Sequence, residues 1–118
     1  MPRPRPEPYA EKRQYPRAPI GVIVRVQFDG QSRHYYSKNI SAGGAFLLAD
    51  EPLSEETRLS VELFLPMLPQ PVTAIAEVVW VQRQEPTGFA LQFKQIGDAE
   101  RDAIRFVVNR YLGESVKE

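Results

Sequence analysis

The chain has no cysteine, one tryptophan and one histidine. Without thiols, a disulfide framework, a thiolate metal site and a cysteine nucleophile are all excluded. Net charge is missing too: fifteen Lys and Arg balance fifteen Asp and Glu, which argues against a dedicated duplex-DNA binder. No run approaches the roughly 20 apolar residues that a membrane-spanning helix needs, and the N-terminus lacks the apolar core of a secretory signal. No membrane insertion and a cytoplasmic location are therefore expected. Catalytic constellations are equally scarce. His34 lies in a strand-like stretch beside Tyr35 and Tyr36, without the further ligands that a metal would require. Glu55 and Glu56 read as a solvated pair, and no Ser or Thr has an identifiable base. Neither a phosphate-binding lysine loop nor a dinucleotide fingerprint occurs. The expectation is no enzyme, no metal and no cofactor.

What is present suits one small domain. The 118 residues are 42% hydrophobic and 25% charged, values ordinary for a globular protein with a modest core. Residues 1–10 form a Pro/Arg-rich tail in which alternating prolines remove backbone donors, so an extended, solvated segment is expected. Residues 11–113 form the domain, and 114–118 a short tail. Basic charge gathers at the front, where Arg3, Arg5, Lys12, Arg13 and Arg17 outnumber Glu7 and Glu11.

Along the domain the dominant period is two. Val22, Val24, Val26 and Phe28 alternate with polar residues, with Ile23 as the exception, and Asp29-Gly30 signals a hairpin turn. A return strand from about Arg33 to Asn39 follows, then a short apolar strand over 45–49. Leu59, Val61, Leu63 and Leu65 mark a fourth strand, Val72 to Val81 a fifth, and Phe89, Leu91 and Phe93 a sixth. Six short strands without intervening helices predict an antiparallel β-barrel. The period then changes. Ile104, Val107, Val108 and Tyr111 recur at helical spacing, with Asp98 as N-cap and Gly113 as stop, so a C-terminal helix is expected over about 98–112. That helix either covers an open barrel end or mediates self-association.

Two polar stretches remain. Asn39-Ile40-Ser41-Ala42-Gly43-Gly44 joins the second and third strands. In isolation it is a turn, with Asn and Ser bonding local backbone and glycine accepting unusual angles. The same residues can offer an amide, a hydroxyl and backbone N–H groups to a ligand. Upstream stand Arg13 and Arg17, separated by Gln14, Tyr15 and Pro16, on a loop expected to be mobile. A guanidinium fork matches phosphate, accepts the O6 and N7 edge of guanine, and stacks on base planes. Two such groups suit a ligand carrying both phosphates and purines.

The ordered pair of motifs resembles the PilZ family, bacterial receptor domains for cyclic di-GMP. Its signature is Arg-x-x-x-Arg before the first barrel strand and Asp/Asn-x-Ser-x-x-Gly after the second, matched here by Arg13 to Arg17 and Asn39 to Gly44. The Val78-Val79-Trp80 strand end, the Gly88 to Phe93 strand and the terminal helix are similar as well. The resemblance implies a six-stranded barrel with a helix. It implies that Arg13 and Arg17 hold guanine and phosphate while Asn39, Ser41 and Gly44 form the opposing surface. Lys12, Gly43 and Trp80 are further ligand-binding candidates. It also implies a downstream effector protein and leaves a homo-oligomer open. Two other roles compete: a nucleotide-independent interaction adaptor on the same fold, and a binder of single-stranded nucleic acid.

Overall fold

A computed structural model describes residues 15–116. Six strands, β1 (Ile23–Phe28), β2 (Gln31–Ser41), β3 (Gly44–Leu48), β4 (Arg58–Leu63), β5 (Val72–Gln82) and β6 (Gly88–Gln95), precede one helix, α1 (Asp98–Val116). Every strand pairing is antiparallel, and the order β1-β2-β3-β6-β5-β4 closes on itself. The barrel is thus two three-stranded meanders joined along both edges, β3 to β6 and β1 to β4. Closure leaves no unpaired strand edge to template aggregation.

The β1–β2 hairpin has a two-residue loop. Asp29 and Gly30 both adopt positive φ, 53° and 74°, the pattern whose twist matches the flanking strands. β2 consequently begins at Gln31, two residues earlier than expected. It also runs to Ser41, so the first half of the Asn39–Gly44 motif is strand and only Ala42-Gly43 is turn.

Inward positions follow the period of two. Val24, Val26, Leu47, Val61, Leu63, Ala76, Val78 and Phe89 are buried in one continuous core. Burying a large aliphatic or aromatic side chain contributes about 1.5–3 kcal/mol. Tyr35 reaches into this core, its ring edge-on to Phe89 with centroids 5.1 Å apart. Irregularities at Ser37/Asn39 and Val78/Trp80 shift the register. The first lets Ser37 and Ile40 both be buried although they stand three positions apart.

The helix contacts β2 and β5, which are opposite one another in the strand order. An element touching both lies across a barrel mouth, and Ile104, Val107 and Val108 join the barrel core. The helix thus covers the open end, one of the two roles expected of it. Three details differ from the sequence reading. The Gly97 carbonyl accepts from the Arg101 N–H at 2.9 Å, so Gly97 is the cap and Asp98 sits in the first turn. Tyr111 is 38% exposed, while Leu112 packs on the core instead. Gly113 does not stop the helix, which continues to Val116. No described helix is long and apolar enough to cross a membrane.

Candidate functional site

The segment before β1 is anchored to the barrel by its backbone. The Ala18 N–H donates to the Ile40 carbonyl at 2.9 Å, and the Ile40 N–H returns a bond to the Ala18 carbonyl at 3.0 Å. Ala18 is fully buried. Ser37 adds a second attachment: its hydroxyl accepts from the Val22 N–H at 2.9 Å and donates to the Ile20 carbonyl at 2.7 Å. A mobile loop was expected at Arg17. It is instead fixed one residue from a two-way bridge, because pairing with β2 satisfies backbone groups that burial would otherwise strand.

This anchoring brings the two motifs together. Arg17 Nη1 donates to Asn39 Oδ1 at 3.1 Å, across 22 residues of sequence. Both side chains are half-buried. Arg13 and Lys12, together with the Pro/Arg-rich tail, lie outside the described residues.

Ser41 and Gly44 are placed differently. Ser41 is buried; its Oγ accepts from the Gly43 N–H at 3.1 Å and lies 3.4 Å from the Gly44 carbonyl. Its hydroxyl therefore staples the turn, as Ser side chains do in such loops. Gly44 has no positive φ; what requires glycine there is crowding. A β-carbon on Gly44 would run into the Leu91 carbonyl of β6. The sequence reading gave this glycine to ligand approach or unusual backbone angles, and neighbouring strand backbone is the contact actually present.

Trp80 shares a transverse row of the barrel with Asn39. Asn39 pairs with Phe46, Phe46 with Ala90, and Ala90 with Trp80. The Phe46 and Trp80 rings are 5.9 Å apart between centroids, inclined at 57°. Sequence reasoning missed Phe46, which sits in a short apolar strand whose outward face could not be told from its inward face by pattern alone.

It also missed a cluster around Tyr15. The Tyr15 ring covers the turn, lying 3.0 Å from where a Gly43 β-carbon would stand. Two guanidiniums of α1 face the same ring, Arg101 at 5.6 Å and Arg105 at 5.3 Å from its centroid. Such cation–π contacts contribute about 0.5–2 kcal/mol each. The ring thus links the arginine loop, the motif turn and the helix.

The PilZ domain family profile matches residues 11–110. The chain belongs to the PilZ domain family. Among solved structures this PilZ domain is similar to the Bacillus subtilis inhibitor of motility MotI/DgrA, with a TM-score of 0.74 and 22% identity over 90% of this chain and 53% of that one. It is similar to YcgR from Escherichia coli in complex with c-di-GMP, with a TM-score of 0.73 and 15% identity over 88% and 47% of the two chains. The isolated PilZ domain of YcgR with c-di-GMP matches over 91% of this chain and 98% of that one, with a TM-score of 0.64 and 17% identity. The chain therefore spans about half the length of MotI and full YcgR, and at these identities the likeness is one of fold. No curated protein matches the sequence.

Nothing among the described residues groups three or more His, Cys, Asp or Glu for a metal. What the site offers is hydrogen-bond donors, fixed positive charge and aromatic faces. That set recognises phosphate and stacked bases.

Proposed function

We propose that this PilZ domain is a non-catalytic receptor for cyclic di-GMP that reports ligand occupancy to a downstream protein. The observation that carries the reading is the Arg17–Asn39 hydrogen bond, which joins the two signature motifs on an already folded surface. Arg17 presents a fork to a phosphate or a guanine edge. Asn39 holds that fork in place. Arg13 and Lys12 supply further cations from the preceding segment, and Gly43 and Trp80 border the surface. Ser41 and Gly44 act through the shape of the turn. Because the Ala18 backbone is bridged to Ile40, ordering Arg17 costs less than recruiting it from a free tail.

The c-di-GMP complexes of YcgR support the ligand and the name of MotI suggests motility as the controlled process; biofilm and exopolysaccharide control rest on the family resemblance alone. Calorimetric titration of the intact chain tests the ligand, with cyclic di-AMP and GTP as controls. Saturable binding of cyclic di-GMP alone is expected, and the titration also reports whether one molecule or a stacked pair binds. Failure to bind removes the receptor reading.

A second reading, a nucleotide-independent adaptor, has one observation in its favour. Phe64, just past β4, and Ile23, Tyr36 and Leu48 on β1, β2 and β3 are exposed neighbours. Exposed apolar clusters of this kind mark interaction surfaces. Partner capture that is indifferent to cyclic di-GMP would favour it.

A further inference from the structure

We propose that Arg101 and Arg105 of α1 contact the ligand directly, forming a helix-borne third side of the site beside Arg17 and the Asn39–Gly44 surface. The inference rests on the cyclic di-GMP reading above and extends it to an element that neither signature motif contains.

Three observations converge. The first is position. Both guanidiniums lie over the Tyr15 ring, Tyr15 is two residues from Arg17, and its ring covers Gly43 inside the motif turn. The helix arginines are thus separated from the turn by one aromatic ring.

The second is an unmet donor. Among the described residues the Nε of Arg101 is shielded from water without a hydrogen-bond partner, and no carboxylate pairs with that side chain. A buried donor left unmade costs stability, so a shift of the Arg101 side chain that carries its fork out to a ligand acceptor costs little in protein hydrogen bonds. A phosphodiester oxygen or the O6 and N7 edge of guanine supplies such an acceptor, and a guanine plane can also stack under the fork as Tyr15 does here.

The third is charge. Among the described residues Arg105 has one ion-pair partner, Asp102, one helical turn away, through a contact of 3.3 Å in which the Asp102 side chain is 71% exposed. Pairs of that kind hold their partners weakly, so Arg105 is available to a stronger anion. Two helix cations share the Tyr15 ring and Arg17 follows that residue by two positions, a set of charges that matches a dinucleotide carrying two phosphodiesters.

The experiment is calorimetric titration of the intact chain with cyclic di-GMP, comparing wild type with Arg101→Met, Arg105→Met and the double variant. Methionine keeps an apolar stem over Tyr15 and removes only the fork and its charge. We expect about tenfold weaker binding for Arg101→Met and a several-fold loss for Arg105→Met, the range of one charge-assisted hydrogen bond. Loss of the cation–π contact should lower the melting temperature by about 2–10 °C per arginine, leaving every variant folded at about 25 °C. Arg105 is exposed, so its variant folds and tests the proposal even if Arg101→Met does not. A loss in one variant alone assigns the contact to that arginine. Wild-type affinity in the double variant overturns the helix contact and leaves the receptor reading standing. No binding by the wild-type chain overturns both.

Discussion

The two halves of the candidate site are held by opposite arrangements. In the Ser41–Gly44 turn, each polar group is spent on the fold: the Ser41 hydroxyl is bonded to the turn backbone, and Gly44 lies against the Leu91 carbonyl. At Arg17 and Asn39 the backbone is fixed, yet the side chains project onto a half-buried surface and bond each other. One half supplies shape and the other supplies functional groups. A signature motif can therefore mix residues required for folding with residues required for binding, and alanine scanning of affinity alone would confuse the two.

The largest effect that separates the halves is expected at Gly44. Gly44→Ala drives a methyl group into β6 backbone, which cannot move without disturbing the β3–β6 ladder. Forced overpacking costs about 1–3 kcal/mol even where side chains can adjust, and backbone contact puts this variant at about 3 kcal/mol or above. Chemical denaturation should show that loss, with reduced binding following only from the unfolded fraction. A stable Gly44→Ala protein that has lost affinity would move this glycine from shape to ligand contact.

Arg17→Ala is the converse. Losing a fork that makes charge-assisted bonds should weaken cyclic di-GMP binding by about 10–100-fold. The melt should fall by no more than about 1 kcal/mol, since Ala18 rather than Arg17 carries the backbone bridge. If affinity holds and stability drops by more, the pair with Asn39 is a structural clasp and the division proposed between the halves fails.

Much of this was legible beforehand, for definite reasons. The barrel could be read because its inward residues alternate cleanly, as in Leu59, Val61 and Leu63, and because the helix switches to a period near 3.6 at Ile104, Val107 and Val108. The juxtaposition of Arg17 with Asn39 could be read only through the family resemblance, since no local pattern predicts a contact across 22 residues. The Tyr15 cluster was not legible. It depends on where α1 crosses the barrel mouth, and arginines on an exposed helical face look the same whether they meet solvent or a ring. Gly113 misled because glycine at a helix end is a common stop, yet here the chain continues in helix to Val116.

Ser41→Ala should give a smaller effect than either variant above, and on the stability axis. Removing the hydroxyl leaves the Gly43 N–H without its acceptor, which costs about 1–2 kcal/mol. Affinity should change by less than about threefold, within what a slightly looser turn permits. Denaturant titration and calorimetry on one preparation measure both. A tenfold loss of affinity with an unchanged melt would show that the hydroxyl turns outward to the ligand.

The smallest effect is expected from Asn39→Asp, and it asks what the amide does. The oxygen that accepts from Arg17 is kept, and as a carboxylate it makes a charge-assisted bond of roughly twice the strength. Against that gain, a negative charge now faces the phosphates of an incoming ligand, and the amide donor is gone. If Asn39 acts mainly by steering Arg17, these terms nearly cancel, and the calorimetric affinity should stay within about threefold of wild type, or roughly 0.6 kcal/mol. The melt should stay level or rise slightly. If instead affinity falls more than tenfold while the fold is intact, the Asn39 NH2 must itself donate to the ligand. The half that supplies functional groups would then contain two independent contacts rather than one arginine and its support.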